Sequence, residues 1–175
     1  GYTDAETEYT LTVEHRFLKD SAPGDLVAGQ HPETVSVELS ELKLHAGEEF
    51  TVNSQTSDEH PYTVKKDIEG YKDGAWRLSA YVLEGGKKGS PMGGFDGTPQ
   101  KGNNVKEKMI HSNAKLTFYY VYEEQSLQYL PNAADATGTM ETVKCGAGDE
   151  MTVAESGFTR TGYTFTGWNT AADGT

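Results

Sequence analysis

The chain has 175 residues, enough for one sizeable domain or two small ones. Its formal net charge of −12 argues against nucleic acid, whose binding needs a basic surface, and against a role that depends on anionic lipid. The apolar runs are only a few residues long, so the sequence indicates no membrane insertion. Cys145 is the single cysteine, which excludes an intrachain disulfide and a zinc site built from several cysteines.

Regular alternation of apolar and polar residues predicts β-strands in the first part of the chain. Residues 1–7 are polar and are interpreted as a linker or tail. Residues 9–17 alternate strictly and predict a strand, and a loop follows over residues 19–32. Alternation resumes over residues 35–44, where a short helix over 40–45 competes with the strand.

Strand-like segments continue after a break at Gly47. Residues 50–52 begin a strand, residues 62–64 are extended, and residues 78–83 are again strand-like. Between them, residues 70–76 form an aromatic segment with the sequence Gly-Tyr-Lys-Asp-Gly-Ala-Trp.

A stretch rich in Gly, Pro and Lys, residues 85–104, predicts a long flexible loop. Because it concentrates lysines in an otherwise acidic molecule, it is interpreted as a binding loop, with a disordered insertion as the alternative. Residues 105–110 have weak helical spacing. Residues 115–122 predict a strong strand with aromatic side chains on one face.

A domain junction is predicted at residues 123–125, before a second alternating run at 127–129. Further short strand candidates are Val143 and residues 151–153. Residues 162–168 (Gly-Tyr-Thr-Phe-Thr-Gly-Trp) predict a strand, because aromatic and polar residues alternate between two glycines.

The chain also contains an internal repeat. Residues 47–52 (Gly-Glu-Glu-Phe-Thr-Val) match residues 148–153 (Gly-Asp-Glu-Met-Thr-Val). A Gly-Tyr…Trp segment follows each of them, at residues 70–76 and at 162–168. The agreement in order predicts two related β-rich units in series.

Three segments of the second unit carry a family resemblance: residues 129–132 (Tyr-Leu-Pro-Asn), residues 148–153 and residues 158–170. Together they resemble the Listeria–Bacteroides repeat, also called the internalin B-type repeat. Its pattern is a strand ending in Asn-Gly-Gly, a strand opening with Gly and an acid, and Thr-Arg-x-Gly-Tyr-x-Phe-x-Gly-Trp. The resemblance covers residues 125–175.

Two departures from the family pattern matter. Ala133 and Ala134 stand where the family has its Gly pair, which alters the tight turn. The last strand of the family is absent, so we expect the chain to stop inside a repeat. Residues after Gln125 are therefore predicted to pack less well than the first unit, or to borrow a neighbour.

Residues 9–124 are similar, more loosely, to the mucin-binding-protein-like modules. These modules occur in the same bacterial surface proteins as the Listeria–Bacteroides repeat. The similarity lies in the opening alternating strand, in the pair Gly70 and Tyr71, and in the Tyr-rich strand over residues 118–122. Both families have β-grasp-like folds, in which a mixed sheet packs on a short helix or a long crossover. The resemblance implies an α+β, mostly β, fold of tandem β-grasp-like (ubiquitin-like) modules, the second one truncated.

The resemblance further implies a domain organisation and a function. The domains are a linker or tail at 1–7, a mucin-binding-protein-like module at 8–124 and a partial repeat at 125–175. The implied role is a non-enzymatic adhesin stalk or interaction domain on the cell surface or cell wall of Gram-positive bacteria. The implied partners are a host glycan, mucin or surface protein, and neighbouring repeat modules of the same chain.

No catalytic or metal-binding motif is recognisable in the polar residues. The acid pairs at residues 48–49 and 149–150 are interpreted as solvated loops before a strand, with cation binding as the alternative. There is no phosphate loop, dinucleotide fingerprint or nucleophile elbow, so we predict no enzyme, cofactor or catalytic residue. The histidines lack the spacing of a zinc site and are interpreted as surface or half-buried: His15, His31, His45, His60 and His111.

Four aromatic residues are candidates for contact with a glycan or a protein partner: Tyr71, Trp76, Tyr119 and Tyr122. Exposed aromatic faces stack on sugar rings, whereas in small β-domains such residues are more often core. A carbohydrate- or mucin-binding module is therefore the alternative function. A Lys–Asn isopeptide cross-link is not expected, because the first strand has no lysine, although Asn113 precedes the last strand.

Overall fold

The computed structural model describes residues 6–19 and 32–173. The chain divides into two compact units, Gly1–Glu123 and Glu124–Thr175. Most of the predicted loop over residues 19–32, including His31, lies outside the described residues, as do residues 1–5 of the predicted tail and the last two residues.

Eight strands build the described part of the first unit. They are β1 (Glu8–Leu18), β2 (Thr34–His45), β3 (Glu49–Asn53), β4 (Thr63–Val64), β5 (Trp76–Gly86), β6 (Gly94–Asp96), β7 (Asn104–Lys108) and β8 (Ala114–Tyr122). The main sheet has the order β2-β1-β8-β5-β4, and β6 pairs with β5. The remaining two strands, β3 and β7, pair with each other in a separate antiparallel sheet.

The centre of the main sheet joins strands that are far apart in sequence. β1 and β8 are parallel neighbours, in register from Leu11 opposite Ala114 to Phe17 opposite Tyr120. β2 and β5 flank this pair and are antiparallel to their neighbours. A parallel pair needs a long crossover, and here the chain from β2 to the start of β8 provides it.

Both faces of the central strand β8 are covered. Leu116, Phe118 and Tyr120 point to the main core and are 0 % exposed, as period-two alternation requires. On the opposite face, Tyr119 and Val121 form a smaller cluster with Leu18 of β1. Because β8 is buried on both faces, its sequence is the most continuously apolar in the chain.

The second unit is smaller and more open. Its strands β9 (Glu124–Leu127) and β10 (Val143–Gly146) form an antiparallel pair. Tyr129 is the one hydrophobic residue of this unit that is buried among the described residues. Five large hydrophobic side chains are exposed: Leu130, Val143, Val153, Tyr163 and Phe165. The prediction that residues after Gln125 pack less well than the first unit is confirmed.

The strands predicted at residues 9–17, 50–52, 78–83 and 115–122 are confirmed. They correspond to β1, β3, β5 and β8. The helix considered over residues 40–45 is wrong, because β2 runs without interruption to His45 and pairs with β1 as far as Glu8. Pairing along the whole of β1 overrides the local helical preference of a Leu- and Glu-containing segment.

Two predictions in the crossover also need correction. Residues 105–110 do not form a helical turn, because β7 (Asn104–Lys108) pairs with β3 and places Val105 opposite Val52. Residues 85–104 are not one featureless loop. They contain β6, and the backbone groups of Gln100 and Tyr81 exchange two hydrogen bonds of 2.8 Å.

In the second unit, the strands predicted at residues 151–153 and 162–168 are absent from the structure. The alternation is present, but neither segment finds a neighbouring strand in the described part of the chain. Without such a neighbour, a strand leaves its backbone groups unpaired.

The described residues contain no helix, so the mostly β architecture is confirmed and the α component of the expected α+β class is not found in residues 6–19 and 32–173.

Candidate functional site

Three of the four predicted contact residues lie together in the first unit. Trp76 begins β5 and pairs with Tyr122 near the end of β8. Tyr71 lies in the turn before β5, with its ring 5.1 Å from that of Trp76 and 4.8 Å from that of Tyr122. The Tyr122 ring stands 5.2 Å from Trp76, so the three rings are mutual neighbours.

This aromatic group closes one end of the core. Trp76 is 0 % exposed and so offers no ring face to a sugar in this conformation. Tyr71 and Tyr122 are half-buried, and the phenol oxygen of Tyr122 accepts a hydrogen bond of 2.9 Å from the backbone N–H of Lys72. Of the three rings, only those of Tyr71 and Tyr122 are partly accessible to solvent.

Tyr119 lies on the opposite face of β8, so the four predicted residues do not form one site. It packs with Leu18, Val121 and Val82 and is 9 % exposed. Burial raises the pKa of its phenol, and the charges of Arg16 and Lys115 oppose that rise. The same face carries the ion pairs Arg16–Glu14 (2.6 Å) and Lys115–Glu84 (3.1 Å).

A polar cluster beside the core was not predicted from the sequence. We call it the His15 cluster: His15, Glu38, Gln55, Lys66 and Tyr120. The strands explain its assembly, because Glu38 of β2 lies opposite His15 of β1, and β8 brings Tyr120 next to them. Gln55 follows β3, and Lys66 follows β4.

Tyr120 is the centre of this cluster. Its phenol oxygen lies 2.8 Å from Nδ1 of His15 and accepts a hydrogen bond of 2.9 Å from the backbone N–H of Gln55. The His15 ring stacks on Phe118 at 5.2 Å, with an interplanar angle of 10°. The buried Tyr120 of β8 is thus tied to β1 and to the segment that follows β3.

An ion pair completes the cluster. The carboxylate of Glu38 accepts hydrogen bonds from Nζ of Lys66 and from Nε2 of Gln55, one on each oxygen. The Lys66 ammonium also lies 5.6 Å from the centre of the Phe17 ring. The cluster therefore holds the segments after β3 and β4 against the end of the sheet.

The electrostatics of the cluster favour neutral His15 and neutral Tyr120. Burial is the main cause that lowers the pKa of His15, and the positive charge of Lys66 lowers it further. Burial raises the pKa of Tyr120 well above its ordinary value, against the opposing effect of the hydrogen bond from the Gln55 backbone. The sequence held one signal of this: His15 sits on the same face of β1 as Leu11, Val13 and Phe17.

The other candidate polar groups have simple structural surroundings. The interpretation of the histidines as surface or half-buried is confirmed for His15, His45, His60 and His111. Glu49 pairs with Lys106 at 3.5 Å, and Asp149 and Glu150 are exposed. Asn113 uses its Oδ1 to accept a hydrogen bond of 2.9 Å from the backbone N–H of Thr10. Across the ranges that the structure describes, no group of three or more His, Cys, Asp or Glu side chains could hold a metal ion.

The conspicuous segment at residues 162–168 takes part in a small aromatic cluster. Trp168 lies 4.8 Å from Tyr129, 4.9 Å from Phe165 and 6.1 Å from Phe158, measured between ring centres. Arg160 lies over the Tyr163 ring at 3.9 Å and pairs with Asp135 at 2.7 Å. These contacts, rather than strand pairing, hold Phe165 and Trp168 in the second unit.

No protein-family model, curated protein or solved structure matches this chain. Within residues 6–19 and 32–173, no helix has the length and apolar character needed to cross a membrane.

Proposed function

We propose that the chain is a non-enzymatic, extracellular module of a Gram-positive cell-surface or cell-wall protein, acting as an adhesin stalk or interaction domain. The observation that carries the proposal is the parallel pairing of β1 with β8 at the centre of the first unit. The resemblance of residues 125–175 to Listeria–Bacteroides repeats supports the same assignment.

The parallel pair suits a module that bears tension. The chain enters β1 at Glu8 and leaves β8 at Tyr122, and the two strands run in the same direction. Entry and exit therefore lie at opposite ends of the pair. A force that separates these ends loads the hydrogen bonds between β1 and β8 in shear, so they resist together instead of breaking one after another.

We also propose that the first unit is a β-grasp-like module. Its support is the strand order β2-β1-β8-β5, with the first and last long strands parallel at the centre and an antiparallel neighbour on each side. The described crossover consists of β3, β4 and irregular segments instead of a helix. The second unit is proposed to be a smaller module of the same class.

The stalk proposal is tested by pulling one molecule in two geometries. In a Cys145→Ser background, handles on cysteines at Glu8 and Glu123 load β1 and β8 in shear. Handles at Glu8 and His45 instead peel the antiparallel β1–β2 pair open from its end, since these two residues are opposite each other. We expect a several-fold higher unfolding force in the first geometry at the same loading rate. Equal forces would remove the main support for the stalk.

Direct glycan or mucin binding is the second candidate, and one observation favours it. Tyr71 and Tyr122 are half-buried and meet edge to face, at an interplanar angle of 87°, so part of each ring stays accessible. Aromatic rings with accessible faces are the usual platform for sugar rings. The test is binding of the full chain to a mucin-glycan array, compared with Tyr71→Ala and with Tyr62→Ala, an exposed tyrosine outside the aromatic group. Loss of binding in the first variant alone supports a direct role.

A further inference from the structure

Strand β2 is an open edge of the main sheet. It pairs with β1 on one side, and no strand in the described part of the chain pairs with its other side. Six of the seven residues from Val37 to Lys43 are exposed, so this edge is accessible over most of its length. The opposite edge of the sheet ends in β4, which is only two residues long. A long open edge is a template on which another strand can pair.

The register of the sheet shows which backbone groups of β2 lie on the open side. The N–H of Thr10 donates to Oδ1 of Asn113, directly before β8, so the backbone of Thr10 faces β8 and not β2. Backbone groups alternate in direction along a strand, so Leu11 faces β2, where Leu42 is its partner. Leu42 and every second residue from it therefore bond to β1. The residues between them present their N–H and C=O groups to the open side: residues 37, 39, 41 and 43.

The same stretch exposes apolar side chains and two charges. Leu39 is 66 % exposed and Leu42 is 39 % exposed. Glu41 and Lys43 stand on either side of Leu42 in the strand, and both point to the face opposite to that of Leu42. Within residues 6–19 and 32–173, neither of these two charged groups forms an ion pair, and Nζ of Lys43 donates to the hydroxyl of Thr10 at 2.5 Å. The edge thus offers one acid and one base at symmetric positions about Leu42.

We propose that β2 is the surface through which two copies of this chain associate, with their β2 strands antiparallel about a two-fold axis at Leu42. That axis sets Leu42 opposite its own copy and sets each Glu41 opposite the Lys43 of the other chain. Opposite charges in directly facing cross-strand positions are stabilising. An axis one residue away, at Glu41 or at Lys43, would instead set like charges opposite each other, which is destabilising. The charges of β2 therefore favour a second copy as the partner and this one register.

The open backbone groups fit the same register. Residues 41 and 43 direct their N–H and C=O groups to the open side, so each facing pair of Glu41 and Lys43 can exchange two backbone hydrogen bonds. Leu42 then lies in the non-hydrogen-bonded position between these pairs, where facing Cα atoms are about 4.5 Å apart. A two-fold contact uses the open edge of both copies, so the assembly closes as a dimer. This self-association surface is separate from the proposed stalk and glycan-binding roles.

Sedimentation of the full chain tests the association, in a Cys145→Ser background from about 1 µM to about 1 mM. At about 0.15 M salt, repulsion between chains of net charge −12 is screened beyond about 8 Å. We expect an equilibrium between monomer and dimer. Glu41→Lys and Lys43→Glu each create two contacts between like charges and should each weaken the dimer about tenfold or more.

Two further variants separate the register from a general effect of charge. The double variant Glu41→Lys/Lys43→Glu restores opposite charges at both contacts and should dimerise like the Cys145→Ser parent. Glu59→Lys is the matched control, because it changes the net charge as Glu41→Lys does, at an exposed residue outside β2. It should also dimerise like the parent. A double variant as weak as the single ones, or a Glu59→Lys variant as weak as Glu41→Lys, would refute the proposed register.

A cysteine at the axis locates the contact directly. In the Cys145→Ser background, Leu42→Cys sets two thiols opposite each other at a Cα separation that a disulfide spans, and oxidised glutathione should cross-link the dimer. Leu39→Cys is the control, because its two copies lie six residues apart along the pair, about 20 Å, and should not cross-link. Equal cross-linking at the two positions overturns the proposal. A chain that remains monomeric at every concentration also overturns it and assigns the open edge to a different protein.

Discussion

The indole Nε1 of Trp168 donates a hydrogen bond of 2.8 Å to the backbone carbonyl of Ala154. The N–H of Ala154 donates to the phenol oxygen of Tyr129, also at 2.8 Å. Two aromatic side chains, whose rings lie 4.8 Å apart, thus satisfy both backbone groups of one residue. These bonds take the place of the neighbouring strand that the segment around Ala154 lacks.

Loss of the Tyr129 hydroxyl should weaken the second unit. Tyr129→Phe leaves the Ala154 N–H without its acceptor, and we expect a loss of about 1 kcal/mol in the free energy of unfolding. Trp168 fluorescence in a Trp76→Phe background follows the unit during denaturation by urea. Tyr163→Phe is the control, because Tyr163 is 66 % exposed, and it should change stability by less than about 0.5 kcal/mol. Equal effects of the two variants would contradict the role given to the Tyr129 phenol.

The two tryptophans should report different environments, since each unit contains one. Trp76 is fully buried in the first unit and Trp168 is half-buried in the second. We expect acrylamide to quench Trp168 in Trp76→Phe much more than Trp76 in Trp168→Phe. We also expect the Trp168 signal to change at lower urea concentration, because its unit buries far less apolar surface. Identical transitions for both probes would show that the units unfold as one.

The centre of the main sheet should be the most sensitive point of the first unit. Leu116 is 0 % exposed and lies between Val13 of β1 and Leu83 of β5. Leu116→Ala should cost about 2–5 kcal/mol through lost burial and a residual cavity. Leu39→Ala on β2 removes the same atoms from a side chain that is 66 % exposed, and should cost less than about 1 kcal/mol. Urea unfolding followed by Trp76 fluorescence measures both.

Gly94 should be required for the β5–β6 pairing. A Cβ atom added at Gly94 would overlap the backbone of Lys87 and Lys88. Because the overlapping atoms are backbone atoms, no side-chain movement can remove the clash. We expect Gly94→Ala to open this ribbon and to destabilise the unit by several kcal/mol, since the backbone itself must shift. Gly89→Ala is the control, because its Cβ meets nothing within 4 Å and only its φ of +83° is unfavourable, at about 1 kcal/mol. Hydrogen exchange of the β5 and β6 amides distinguishes the two variants.

Acid should break the hydrogen bonds that Asp96 of β6 accepts from Lys88 and Thr98 only at low pH. Asp96 accepts hydrogen bonds from Nζ of Lys88 and from the N–H of Thr98, which lower its pKa to about 2. Because the folded-state pKa lies below the unfolded value, its contribution is complete above about pH 4 and is lost as the pH falls towards about 2. NMR titration of the Asp96 carboxyl should show this midpoint, and Lys88→Met should move it upwards. A midpoint near the ordinary value in the wild type would contradict the paired geometry.

The sequence predicted the individual strands better than their arrangement. Alternation identified β1, because side chains on a half-buried strand must alternate, and an unbroken run of aromatic and β-branched residues identified β8. It could not show that these two strands pair in parallel, since their partners lie about a hundred residues apart and pairing leaves no local pattern. The candidate aromatics were likewise identified by type, but only the sheet shows that Tyr119 faces away from Tyr71, Trp76 and Tyr122.

The sequence by itself determined where polar and apolar residues alternate, how acidic the chain is and how few apolar residues the second unit can bury. These properties are local or additive, so they can be read without a structure. Only the tertiary structure decided that residues 40–45 extend β2, that residues 162–168 form no strand, and that His15 meets Tyr120. Each of these outcomes depends on whether a distant partner is present: β2 has β1, His15 has β8, and residues 162–168 have aromatic neighbours in place of a strand.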